Sequence, residues 1–299
     1  MRKATKIWLF VSLALVVFGG LVFTVVMSAL GWDFKRLNTV NYEKNTYEVA
    51  EEFNEICVTA NTADVRLVLA KDGVCKVVCN ESEQEKHSVA VVDGVLTINA
   101  LSARAWTDYI AVGFGKTSVT VYLPKAEYAS VSLQATTADI TVDEAFTFAT
   151  LEIAVTTGDV ECYASAQTLK ISTSTGDISV KNATVGSLEL SVTSGDTELE
   201  HLTCERLLST GDTGDVELQD VIVSGKLEIE RDTGDVEFEG VDGGEIVVKT
   251  DTGDISGTVL TQKEFIAKSD TGRVRVPKTT GGRCELTTDT GDIDVSIAR

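Results

Sequence analysis

The sequence predicts an all-β fold, a β-solenoid of stacked rungs of about 19 residues, carrying an irregular N-terminal β cap and preceded by one transmembrane helix. Three observations carry that expectation. The tripeptide Thr-Gly-Asp, or a near variant, recurs along the second half of the chain at an almost constant spacing. Apolar residues alternate with polar ones after each recurrence. A run of 24 uncharged residues, 7–30, stands near the N-terminus.

That run is IWLFVSLALVVFGGLVFTVVMSAL. As a helix it would span roughly 36 Å, against a hydrocarbon core of about 30 Å. Trp8 and Trp32 bracket it, and Arg2, Lys3 and Lys6 precede it without an acid. Those bases favour a cytoplasmic N-terminus and an extracytoplasmic remainder. The competing reading is a cleaved signal peptide ending near Ala29-Leu30-Gly31, but the run is longer than an ordinary signal core. The expected organisation is a cytoplasmic segment 1–6, a transmembrane helix 7–31, a juxtamembrane linker 32–47, an irregular β-rich cap 48–129 and the repeat solenoid 130–299.

The cap segment contains FNEICVTANTADVRLVLA, CKVVC, SVAVVDGVLTINA and TSVTVYLPK. Its Thr-Ala-Asp at 62–64 stands 75 residues before the next such motif, close to four rungs. Either eroded coils or a capping β-domain with hairpins would give this, and the cap is the preferred reading because terminal units of a solenoid must cover an open edge. The segment 103–118, with Trp106, Tyr109 and Phe114 among glycines, reads as a loop on the cap or as an exposed contact patch.

In the repeat, the central residue of each motif falls at 138, 158, 176, 195, 214, 234, 253, 272 and 291. Two residues later stand Ile140, Val160, Ile178, Thr197, Val216, Val236, Ile255, Val274 and Ile293. Apolar pairs such as Leu188/Leu190 and Ile246/Val248 follow at twelve and fourteen. Each rung therefore holds short strands with one apolar face, joined by turn residues. One rung cannot bury its stripe alone, so about nine must stack in parallel ladders. A two-sheet antiparallel sandwich would not need such constant spacing, and the near absence of Pro suits unbroken ladders.

The net charge is −20, and residues 32–299 carry 23 bases against 46 acids. Such a chain is a poor binder of phosphate backbones, which excludes a nucleic-acid role. Thirteen of the acids form two columns. Asp139, Asp159, Asp177, Asp196, Asp215, Asp235, Asp254 and Asp292 follow the motif glycine or alanine, and Asp212, Asp232, Asp251, Asp270 and Asp289 precede it by two. Stacked carboxylates about 4.8 Å apart repel, and a Ca²⁺ ion between rungs would relieve that. Turn chemistry explains the columns without a metal, since Gly supplies positive φ and Asp satisfies turn amides. Arg273 interrupts the first column and is expected between Asp254 and Asp292 in a local salt bridge.

No catalytic constellation stands out. The acids repeat by rung, as structure requires and catalysis does not, so neither catalytic nor cofactor-binding residues are assigned. The cysteines read as buried thiols, with a bridge from Cys57 to Cys75 or Cys79 as an alternative. Cys75 and Cys79 with His87 are too sparse for a metal site, so no metal ligand is assigned.

The VLTINA strand at 95–100, the VTVYLPK strand ending near Pro124 and the following xLxIxxxTGDV units resemble the putative-adhesin family of bacterial β-strand repeat (TGD-repeat) envelope proteins of unknown function, over about residues 50–299. The resemblance implies a bacterial envelope protein, anchored in the cell membrane with its C-terminal domain outside. It implies a non-enzymatic interaction, adhesion or envelope-stress module with an unknown envelope protein or polysaccharide partner. A Ca²⁺-dependent scaffold of the envelope is the alternative, and a carbohydrate-active β-helix enzyme a more remote one.

Overall fold

A computed structural model describes residues 3–37, 40–83, 85–102 and 115–298. The aromatic stretch around Trp106, Tyr109 and Phe114 lies outside the described residues. Helix α1 runs Lys3–Ala29, and Thr5–Ala29 is long and apolar enough to cross a membrane, a property a signal sequence shares.

The rest is β-structure. The N-terminal part holds β1 (Tyr42–Val49), β2 (Glu55–Ala60), β3 (Asp64–Leu69), β4 (Cys75–Ser82), β5 (Glu85–Val92), β6 (Val95–Ser102) and β7 (Ser118–Leu123). The repeat begins with β8 (Tyr128–Thr137), β9 (Ile140–Val142), β10 (Thr147–Thr157), β11 (Val160–Cys162), β12 (Ser165–Thr175), β13 (Ile178–Lys181) and β14 (Thr184–Ser194). It continues through β15 (Thr197–Thr213), β16 (Val216–Thr233) and β17 (Val236–Thr252), and ends with β18 (Ile255–Val259), β19 (Lys263–Thr271), β20 (Val274–Arg275), β21 (Gly282–Thr290) and β22 (Ile293–Ile297). From β8 onward the strands form a parallel solenoid in which each long strand pairs with its equivalent one coil away, as Leu151 with Leu169 and Leu169 with Leu188. Nine coils lie between Tyr128 and Ile297, as the repeat count requires.

The alternating pattern fixes which face is inside. Val160, Ile178, Val216, Val236, Ile255 and Ile293 of the two-after position are fully buried, as are Leu188, Leu190, Ile246 and Val248 on the long strands. The polar residues between them face water. A one-residue slip would turn this whole set outward, so the register is held by burial as well as by backbone bonds.

Part of the segment expected as an irregular cap is regular. β2 and β3 pair in parallel with β8 and β9 at an offset of 75 residues, Ile56 with Val131 and Val65 with Ile140, and so form a complete coil. β6 and β7 stack in parallel on β2 and β3 as a second coil. β4 and β5 close the end by pairing antiparallel with β7 and β6. β1 lies antiparallel along β4 and starts at Tyr42, inside the stretch expected to be linker.

The far end overturns the expected stacking order. β17 pairs with β21 and β18 with β22, while β19 and β20 pair with β21 and β22 from the other side. The last coil in sequence thus sits inside the penultimate one. Asp292 lies between Asp254 and Arg273, so the expectation that Arg273 stands between two aspartates is wrong. Lys263 bridges the arrangement. Its buried ammonium passes coil β21–β22 at Gly282 and bonds to Asp242 Oδ1 and the Gly243 carbonyl on β17, both at 2.6 Å.

Candidate functional site

The motif corner is built from glycine and aspartate for separate reasons. Gly195 has φ +145°, and a Cβ there would stand 2.2 Å from the Gly176 carbonyl oxygen, so no other residue fits so close to the coil below. The neighbouring Asp196 accepts the Asp215 amide on Oδ1 at 2.8 Å and donates its own amide to Asp177 Oδ1 at 2.8 Å. The same bond recurs in every coil from Asp64 through Asp139, Asp159, Asp177, Asp196, Asp215, Asp235 and Asp254 to Asp292, and ends on the Arg273 amide. One oxygen of each carboxylate is therefore occupied by backbone. This is the turn-chemistry reading of the column. The Arg273 guanidinium also bonds to Asp292 Oδ2 at 2.6 Å and holds that carboxyl below the usual range. In the second column, Asp251 and Asp270 meet Lys249 and Lys268 at the surface.

The next corner takes Asn182, His201, Asp220 and Gly240, all at φ between +50° and +67°. These residue types tolerate left-handed backbone better than others. His201, between Glu200 and Asp220, is thereby a corner residue.

A groove runs along the bend where the long strands begin. It crosses five successive coils, from Thr147 to Lys226, with a volume of ≈ 1290 Å³. At one coil spacing of about 4.8 Å its length is roughly 19 Å. Thr147, Ser165, Thr184 and Thr203 line it with hydroxyls, and Gly186 and Gly225 let successive coils approach closely there, since a Cβ at either would stand 2.5 Å from a carbonyl oxygen of the coil below. Its charged residues are Glu205, Arg206 and Lys226. Lys226 pairs with Glu228 at 2.8 Å, while exposed Arg206 makes no ion pair with any described residue. Glu205 alone supplies a carboxylate to the lining, where glycoside hydrolysis uses two across the bond.

Three departures from the repeat converge on a fourth, the side chain of Arg231. Arg231 is buried, and its guanidinium bonds to the Glu230 carbonyl, Thr197 Oγ1 and Ser209 Oγ at 2.9–3.0 Å. Thr197 stands where other coils carry Val or Ile and Ser209 where they carry Ile, Leu, Val or Ala, and Gly211 leaves room beside the guanidinium. Its Nε has no partner, and no carboxylate pairs with it among the described residues. Burial lowers its pKa to about 10. The exceptions were legible one by one in the sequence, but only stacking brings them together.

All six cysteines are free thiols, so the alternative bridge from Cys57 is not formed. Burial raises Cys75 to about 11 and Cys162, Cys204 and Cys284 to about 12. Cys79 reaches about 12 by burial and the nearby charge of Glu81.

The sequence profile of the Toastrack DUF4097 family matches residues 53–242 and 206–299. No curated protein matches the chain. Among solved structures, a protein described as a putative lipid binding protein from Parabacteroides distasonis is 14% identical, with 88% of this chain and 98% of that one covered and a TM-score of 0.50. A putative adhesin from Parabacteroides merdae is 15% identical over 88% of this chain and 98% of its own, TM-score 0.45. Another from Bacteroides fragilis is 17% identical over 86% and 97%, TM-score 0.39. At these identities the likeness concerns the fold.

Proposed function

Because the chain belongs to the Toastrack DUF4097 family, we propose that it is a non-enzymatic, adhesion-like module that holds an extended envelope partner along its solenoid, anchored in the bacterial cell membrane through residues 7–31 with the C-terminal domain outside. The groove across five coils carries this reading. It is long, open and lined by repeating hydroxyls, with Arg206 as a cation unpaired among the described residues, and so suits a polymer or an extended segment of protein better than a compact substrate. The neighbours described as adhesins accord with it.

The test is retention of purified cell envelopes by the full-length chain in detergent micelles, comparing wild type with Ser187→Trp and Arg206→Glu. Both positions line the groove and neither is fully buried. Retention lost in both variants, with unchanged circular dichroism, is the expected result. Retention equal to wild type in both would place the contact elsewhere and end the groove reading.

A further inference from the structure

The end that β4 and β5 close holds a group of side chains that a packed apolar interior does not require. Cys79 and Glu81 point inward from β4, and His87 points inward from β5. Each is at most 3% exposed, and one ligating atom from each lies within 4.8 Å of the other two. The Glu81 carboxylate organises them. Its Oε1 accepts from Asn45 at 2.7 Å, and its Oε2 accepts the His87 amide at 2.7 Å and lies 2.9 Å from His87 Nδ1. The imidazole is oriented by that contact, and its Nε2 is buried without a hydrogen-bond partner among the described residues.

We propose that Cys79, Glu81 and His87 form a structural site for a borderline divalent cation of the zinc class. A thiolate, an imidazole nitrogen and a carboxylate oxygen are the donor set that such ions prefer, whereas Ca²⁺ and Mg²⁺ take oxygens. Ligand atoms about 2.0–2.3 Å from one ion stand roughly 3.3–3.8 Å apart, so the group closes on a cation by movements of about an ångström. Coordination takes the thiol as thiolate, releasing its proton to solvent, and the imidazole as the tautomer protonated on Nε2, which leaves Nδ1, the nitrogen beside Glu81, as the ligand. The site ties β4 to β5 at a place where, among the described residues, their backbone register meets only at Ser82 and Glu85. Cys75, two inward positions earlier on β4, is outside the group and serves as the control.

The test uses the full-length chain, produced in zinc-supplemented medium and purified in detergent. Metal analysis is expected to give one zinc per chain, and X-ray absorption at the zinc edge one sulfur among nitrogen and oxygen ligands. Replacement by Co²⁺ is expected to give a thiolate-to-cobalt charge-transfer band that persists in Cys75→Ser and vanishes in Cys79→Ser. A chain free of zinc, a zinc shell with no sulfur or more than one, or a band that survives Cys79→Ser would overturn the proposal. The absorption measurement needs only wild type, so it decides even if the variants fail to fold.

Discussion

The aspartate column makes a prediction in which two opposing terms are separable. Asp196 sits mid-column, its Oδ1 accepting the Asp215 amide at 2.8 Å. Asp196→Asn keeps an acceptor and removes the charge, while Asp196→Ala removes both. The repulsion from Asp177 and Asp215, at about 4.8 Å each, is roughly 0.9 kcal/mol per neighbour in water. Together that is about 1.7 kcal/mol, falling to about half at physiological ionic strength. The neutral bond retained by Asn contributes about 1 kcal/mol, and a charged acceptor about twice as much. Asp196→Asn is therefore expected within about 0.5 kcal/mol of wild type at 0.15 M salt, and to gain on wild type as salt is lowered. Asp196→Ala is expected to fall about 1 kcal/mol below Asp196→Asn at every salt, because charge relief is common to both. Unfolding of a repeat array need not be all-or-none, so the assay is hydrogen exchange at the Asp215 amide, read beside urea denaturation. One kcal/mol corresponds to about fivefold in exchange protection. Equal exchange in the two variants would show that the ladder bond carries no weight. Absence of any salt dependence between Asp196→Asn and wild type would show that the column is already neutralised, as by a bound cation.

Gly195→Ala drives a Cβ to 2.2 Å from a backbone carbonyl that cannot rotate away, so it is expected to cost at least about 3 kcal/mol in thermal denaturation. Returning the Arg231 cluster to the repeat pattern, with Thr197→Val, Ser209→Ile and Arg231→Thr together, is expected to raise stability by about 1–3 kcal/mol by the same measurement, because it removes a buried charge that pairs with no carboxylate among the described residues. Burial raises the Asp242 carboxyl, but bonds from Lys263, Thr261 and the Gly243 amide outweigh it and leave its pKa lowered. Its folded pKa being below the unfolded one, the terminal coils keep this contribution above about pH 4 and lose it as pH falls further, which an acid titration of wild type against Asp242→Asn reads as convergence of their melting temperatures. Millimolar Ca²⁺ is expected to raise the melting temperature no more than NaCl of equal ionic strength, since the ladder already engages one oxygen of each column aspartate.

How much was readable follows from the range of the interactions. The coil is a local unit, so nine motif positions and a period-2 pattern were enough to specify parallel stacking and an apolar interior. The order of the coils is not local. Nothing in the spacing distinguishes a last coil outside its predecessor from one inside it, because both present the same residues to the same columns. Two residues did carry that information. Pro277 and Arg273 both belong to the penultimate coil, and each suits an edge: Pro lacks an amide to donate, and Arg needs no further coil to receive a carboxylate bond. At the other end, the 75-residue offset of the Thr-Ala-Asp motif was the register of a real coil, but the two strands that close that end pair antiparallel and follow no repeat. The grouping of Cys79, Glu81 and His87 depends on that pairing, and Glu81 had no reason to be singled out among so many acids.

Both ends solve one problem by the same means, and the solution bears on how the solenoid can work as a surface. A parallel stack exposes unpaired backbone at its first and last coil, where further copies could add. Here the chain leaves the stack and re-enters it, so that β2 and β3 lie inside β6 and β7, and β22 lies inside β20. Strand β22 is thereby paired with β18 from Ile293 to Ile297 and with β20 at Ile293 and Asp294, with Ile293 and Val295 buried. The exposed edge is left to the coil of β19 and β20, where β20 is short and Pro277 and several cations discourage strand addition, while the nine-residue β19 is paired on one side. With one end capped by β4 and β5 and the other left to this edge coil, the long sides are the larger surfaces of the stack. Of these, the groove from Thr147 to Lys226 is concave, while the aspartate corner is occupied by its own backbone.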